Sequence, residues 1–298
     1  MLADLGPAFV RLVEEGEVYV ILLPVYVLLV VGERVAHGRL AQHRWDNRDA
    51  ASNIVITIVM LMLDVLVGAL APVALMALLH THLAPFTLGG GWGWLAAFVL
   101  YDLAWYVDHR IAHRVGLMWA FHHVHHSSRE FNTTVASRGF VLDATMLTRP
   151  TFYLLPLLGV SPLHFIVVKI VTNVWGIAQH TRLIGRLGVL DRLLATPSNH
   201  RVHHGTDPLY LDRNYGEVLI VWDRLFGTWQ PEQHPPTFGV TAPVDSHNPI
   251  TIELAGLRWL RDKMRRCDRW QDAVACLFKP PEWSATPKPA FARRATGV

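Results

Sequence analysis

The chain has 298 residues, 51% of them hydrophobic and 17% charged, against an ordinary charged share of about 25%. A mean hydropathy of +0.26 excludes a disordered or collagen-like chain and argues against an ordinary soluble enzyme, and two cysteines exclude a disulfide scaffold or a cysteine-built zinc domain. The net charge of +3 on so apolar a chain fits a membrane surface better than nucleic acid, and the compositional outlier is histidine, with 17 copies.

Four apolar regions follow in chain order. Val18–Val31 is uncharged but short; Ile54–Leu79 carries one charge, Asp64. Trp92–Val107 is apolar except for Asp102 and rich in the Trp and Tyr favoured at a membrane boundary. Phe152–Ala178 carries only Lys169 and is interrupted by Pro156 and by Gly159-Val160-Ser161-Pro162. The first region begins too late, and lacks the basic start and cleavage site, for a signal peptide. The expectation is an all-α integral membrane protein with about four transmembrane helices or helical hairpins and a cytosolic helical cap.

Basic residues orient it. Arg34, Arg39, Arg44 and Arg48 place the first loop in the cytosol, and the uncharged stretch His80–Gly91 faces outside. Its Gly89-Gly90-Gly91 run reads as a turn, since no Lys-Ser/Thr follows it. From Arg182 onward lie 16 of the 27 Lys and Arg. Phe140–His180 must leave the cytosolic face and return to it; as helix it would measure about 60 Å, enough for two crossings with Gly159–Pro162 as the turn. Arg149 and Lys169 would then sit at a costly depth, so a shallower re-entrant hairpin stays open. The domains expected are residues 1–92 (N-terminal membrane helices), 93–230 (catalytic) and 231–298 (a basic cytosolic tail, frayed from Glu282 on, with Cys267 and Cys276 as unremarkable thiols).

Three histidine clusters have helical ligand spacing. His109 and His113 stand at i and i+4, and His122, His125 and His126 at i, i+3 and i+4. His200, His203 and His204 repeat the second pattern. His123 points about 100° away from His122 and reads as a bystander, as do His37, His43, His80, His82, His164, His234 and His247. Eight imidazoles exceed what one metal uses, so the spacing points to a dinuclear site. Imidazole suits Fe, Zn, Cu and Ni alike; the missing His-Glu-x-x-His disfavours a zinc protease, and neutral ligands at a membrane face point to iron and O2. Asp102, Tyr106, His109 and His113 form one helical stripe, which makes Asp102 a candidate partner for a ligand imidazole or a water. Asp108, off the stripe, reads as a surface partner for an arginine.

The pattern His-x-x-x-His, His-x-x-His-His and a second His-x-x-His-His resembles the fatty acid hydroxylase/sterol desaturase superfamily of membrane di-iron oxygenases. The resemblance runs from about Tyr101 to Gln230. It takes in His125-His126-Ser127-Ser128 followed by Asn132, Gln179-His180-Thr181, Thr196 to Gly205, Asp212 to Gly216, and Trp222-Asp223 with Phe226-Gly227-Thr228. It implies a ninth ligand at His180 and candidate catalytic roles for Asp102 and Asn132. The branch with alkylglycerol monooxygenase often has a histidine where this chain has Asn199, which leaves branch and substrate open. The resemblance further implies two non-haem irons (with zinc able to substitute on purification), O2 as co-substrate, hydroxylation or desaturation of a membrane lipid, and two electrons from an external donor such as cytochrome b5 or a ferredoxin. His234-Pro235-Pro236 is not a b5 haem motif. The alternative is a membrane metal transporter or a non-catalytic metal-binding protein. With 23 Arg against four Lys, the composition favours a bacterial inner membrane over the endoplasmic reticulum.

Overall fold

The computed structural model describes residues 18–40, 45–63 and 70–285; His43, Arg44, Asp64 and the last stretch of the expected tail lie outside them. The described chain is mostly helical, with isolated bridges Leu194–Leu219 and Gly205–Phe238. Helices α1 (Val18–Leu40) and α2 (Asn47–Leu63) are each apolar at one end and polar at the other. Their apolar ends expose Leu23, Leu28, Val31, Ile58 and Met62, and their polar ends bury Glu33, Asp49 and Asn53.

Among the described residues no helix is long and apolar enough to cross a membrane, which corrects the expectation of single-helix spans. The reasons are local. The apolar run from Ile54 to Leu79 is shared between α2 and α3 (Leu70–Leu83), and α4 (Gly90–Arg114) continues past its apolar part into the first histidine pair. Of the two legs expected in Phe140–His180, the first is a pair of 3-10 segments, Val141–Thr145 and Pro150–Leu158. Proline at 150 and 156 removes backbone donors that a continuous α-helix would use.

The expected turn is present. Gly159 has φ +83, and a Cβ there would stand 2.7 Å from the Phe86 ring. Ser161 then accepts from the backbone N–H of His164 and caps α7 (Pro162–Gln179), which opens with Pro162 in its first turn. The hairpin closes on α3 and α4 around Met76, Ala97, Tyr101, Phe152, Phe165 and Val168. Arg149 lies over the Trp105 ring at 3.7 Å, a cation–π contact that offsets part of the cost of its depth. Asp108 is fully buried and accepts from the backbone N–H of Thr151, so it is not the surface group expected.

The C-terminal region is also not a tail as far as it is described. Helix α10 (Pro249–Glu253) packs on α2, and α11 (Ala255–Arg265) and α12 (Trp270–Phe278) cover α5 (Gly116–His126). The approach is backbone to backbone: a Cβ on Gly256 would meet the Ala120 carbonyl oxygen at 1.9 Å, and one on Gly116 the Cys276 oxygen at 2.0 Å. Leu260 and Cys276 seal this layer.

Candidate metal centre

The kink at Val115 between α4 and α5 folds the first histidine pair back onto the second cluster. α4 presents His109 and His113, α5 presents His122, His125 and His126, and the short helix α8 (Pro197–His203) brings His200, His203 and, at its C-cap, His204. His180 caps the C-terminus of α7. Two groups result: His109, His113, His122, His126 and His203 in one, and His125, His180, His200 and His204 in the other, with ligand atoms in each group within 4.8 Å of one another. All nine sequence-predicted imidazoles are therefore brought together, and His123 stays outside both groups.

Backbone carbonyls set the orientation of four rings. The Nδ1–H of His109 donates to Tyr215 O (2.8 Å), of His125 to Arg138 O (2.9 Å), of His180 to Gly176 O (2.7 Å) and of His203 to Arg213 O (2.9 Å). Each bond fixes the tautomer that leaves Nε2 bare and inward-facing. His113 Nδ1 lies 3.6 Å from Asp212, whose other oxygen accepts from Arg114 at 2.7 Å.

The donor set fits bound cations. Nε2 atoms of His109 and His122 approach to 3.1 Å, and those of His180 and His200 to 2.9 Å. Nε2 of His113 and of His203 is buried with no partner. Buried acceptors converging without donors are costly unless a positive centre lies among them. The rings are also neutral and ready to ligate: burial, then the neighbouring imidazoles, holds His122, His126, His200 and His204 well below the usual histidine range. Four or five nitrogens per group match one ion each, and nitrogen donors alone do not select iron over zinc, copper or nickel.

The surrounding motif residues shape the loop that supplies these carbonyls. Asp223 accepts from the N–H groups of Tyr215 and Gly216, both at 2.8 Å, and from the Thr228 hydroxyl at 2.6 Å. Asp212 and Asn214 adopt φ 58 and 57, and the Asn214 amide clamps the loop to Asn199 O and Gln230 O. That turn aims the carbonyls of Arg213 and Tyr215 at His203 and His109. Asn199 itself points away from the site: its Nδ2 donates to Asp191 O and Leu194 O.

Asp102 and Asn132 do not touch a ligand ring. The Asp102 carboxylate accepts from the backbone N–H of Val218 (3.0 Å) and Leu219 (3.2 Å) and from Trp222 Nε1 (2.8 Å), so the segment after Gly216 takes the place expected of an imidazole. Asn132 caps α6 (Thr133–Ala136) by accepting from Thr134.

Sequence reasoning missed the tie between α2 and the second cluster. Arg138, 2% exposed, donates to Asp49 (2.8 Å), Asn53 (3.0 Å) and the Ser127 hydroxyl (2.6 Å), while Ser128 donates to Asp49 at 2.7 Å. The Ser-Ser pair after His126 was the available signal, but Asp49, the partner of Ser128, lies 79 positions upstream, where spacing says nothing. Glu33 was missed for the same reason: it accepts from the Thr181 hydroxyl at 2.6 Å, next to His180.

These residues fall in a region that is similar to known proteins. Residues 94–228 match the family model described as fatty acid hydroxylase. Alkylglycerol monooxygenase of Homo sapiens is 35% identical over 192 residues, 64% of this chain and 43% of that protein. The ornithine lipid hydroxylase of Rhizobium tropici is 31% identical over 179 residues, 59% and 54% of the two chains. The Delta(7)-sterol 5(6)-desaturase of Eremothecium gossypii is 31% identical over 142 residues, 46% and 37%. The chain spans about half the length of the curated relatives it matches, and no solved structure matches it. All nine histidines of the two groups lie within residues 94–228, the region that matches the fatty acid hydroxylase family model.

Proposed function

We propose that the chain is a membrane-bound, O2-dependent di-iron oxidoreductase that hydroxylates or desaturates an unactivated C–H of a lipid, with a sterol, a fatty acyl chain or an ether lipid as substrate. The observation that carries this reading is the division of nine imidazoles, seven buried and two half-buried, into groups of five and four, one for each of two ions. The activities for which the relatives are named, all on lipids, support the substrate class. Iron, when bound, supplies the O2 activation that no side chain provides. His109, His113, His122, His126 and His203 would hold one ion, and His125, His180, His200 and His204 the other.

The chain's own part is ligation, orientation and exclusion of water. The carbonyls of Tyr215, Arg138, Gly176 and Arg213 hold four ligand rings in one tautomer. The helical layer over α5 closes the polar side, and Phe131 stacks on His180 at 5.4 Å. Exposed apolar side chains on α1, α2, α3 and the hairpin, among them Leu28, Met62, Leu78 and Leu154, support insertion of these elements into a bilayer as hairpins, with the metal centre at its cytosolic face. The source membrane we favour is a bacterial inner membrane. Two electrons per turnover would come from an external donor, cytochrome b5, a ferredoxin or a similar carrier.

Metal analysis of detergent-purified protein, coupled to O2 uptake with reductant and membrane lipid, tests the reading. About two irons per chain are expected, with lipid-dependent O2 consumption abolished in His203→Ala. Iron-reconstituted protein that consumes no O2 with lipid and several donors would overturn it in favour of a non-catalytic metal protein.

A further inference from the structure

A cavity of about 620 Å3 opens beside the four-histidine group, lined among others by Arg129, Arg182, Phe238 and Thr241. Its wall leads directly to the metal ligands: Phe238 stacks on Phe131 at 4.9 Å, and Phe131 on His180. The guanidinium of Arg182 lies over the Phe238 ring at 4.7 Å, which fixes its plane. Among the described residues the buried arginines are bound to carboxylates, whereas Arg182 is half-buried. Arg138 meets Asp49 at 2.8 Å, and Arg201 meets both oxygens of Glu232, at 2.9 and 2.7 Å.

Arg182 is different. Its hydrogen bond is a 3.4 Å contact from Nη2 to Arg129 O, and its buried Nε has no partner. Glu33, which bears on it electrostatically, already accepts from Thr133 and Thr181. Glu130, the carboxyl that bears on it most, makes neither a hydrogen bond nor a close ion pair with it. Arg129 pairs with Asp245, but both side chains are more than half exposed, and a pair of that kind is weak. An incoming anion can displace it. Two guanidiniums, one held flat against the Phe238 ring with its Nε unpartnered, match the oxygens of a phosphate group.

We propose that this cavity binds a phosphate-type oxyanion, and that its source is the headgroup of the lipid whose chain is offered to the metal centre. The lipid source rests on the proposed function; the oxyanion site does not. Calorimetric titration of the full chain in detergent distinguishes them, using inorganic phosphate, dihexanoyl phosphatidate and neutral dihexanoylglycerol as probes. Phosphate is expected to bind, and phosphatidate about tenfold more tightly than either phosphate or the neutral diglyceride. Arg182→Gln should weaken both anions about tenfold and Arg129→Gln less, while Arg261→Gln, remote from the cavity, changes neither.

Phosphate binding lost in Arg182→Gln, with no preference for phosphatidate over phosphate, would keep the oxyanion site and overturn its lipid source. No phosphate or phosphatidate binding, or binding indifferent to both arginine variants, would overturn the proposal. Because the readout is binding rather than turnover, it stands or falls separately from iron loading and O2 uptake. Should Arg182→Gln fail to fold, Arg129→Gln carries the same test.

Discussion

At the scale of single residues, burial decides which contacts matter. Asp49 and Arg138 form an ion pair with side chains 11% and 2% exposed. Removing one partner of such a pair leaves a charge uncompensated and costs about 3–5 kcal/mol. Asp49→Asn should therefore lower the unfolding midpoint sharply, whereas Asp245→Asn, at an exposed pair, should change it little. Equal effects in thermal unfolding would contradict the assignment. Glu253 offers a test by pH. Burial, with Asp143 nearby, pushes its carboxyl from 4.5 up to about 7, so the folded state holds the proton more firmly than the unfolded chain. That contribution to stability is complete below about pH 4.5 and is lost as pH rises through about 7. Glu253→Gln keeps an acceptor for the Val141 N–H, 3.0 Å away in the parent, and removes the titration. It is expected to raise the unfolding midpoint at about pH 8 more than at about pH 5; equal shifts at both would show that Glu253 does not titrate in this way.

At the scale of elements, the decisive contacts are backbone approaches. α11 crosses α5 where Gly256 leaves no room for a methyl group against Ala120 O. Gly256→Ala must push the two helices apart, an overpacking cost of about 1–3 kcal/mol. Since α5 carries His122, His125 and His126, iron retained per chain should fall with the unfolding midpoint. Gly32→Ala has nothing within 4 Å of the new methyl and should leave both quantities at or above the parent's. The crossing also marks where the sequence stopped being informative. The clustering of eight histidines was legible because helical spacing is local, and that of His180 because the Gln179-His180-Thr181 match supplied what spacing could not. The hairpin turn was legible from glycine and proline. The cap was not, because Arg258, Arg261 and Arg265 on α11 dominate its composition while Gly256 and Leu260, the residues that make it a packed layer, are inconspicuous. Asp102 failed for a related reason. Its stripe was right, but the backbone that fills the space beside it comes from Val218 and Leu219, more than a hundred residues away.

At the scale of the molecule, apolar surface and metal centre lie at opposite ends of the same helices. α1 exposes Leu28 at 70% and α2 exposes Ile58 at 52% and Met62 at 59%, yet the far ends of both helices bury Glu33, Asp49 and Asn53 against the histidine-bearing elements. Burying an exposed Leu or Ile from water is worth about 1.5–3 kcal/mol, and a lysine in hydrocarbon costs about 2.5–3.5 kcal/mol. The two terms act in the same direction on Leu28→Lys and Ile58→Lys, so under the proposed insertion each variant should shift chain from the membrane pellet toward the alkaline-extractable fraction. Neither residue touches the ligand rings or their carbonyl partners, so iron per chain should stay at the parental value in detergent. That separation makes the test informative. Loss of membrane retention with the metal centre intact would place the bilayer on these faces, whereas unchanged retention in the double variant would mean that another surface holds the protein to the membrane. Loss of iron together with retention would instead indicate that the apolar ends stabilise the fold, because α2 reaches His125 through Asp49 and Arg138, and a shift of that helix is transmitted to the ligand.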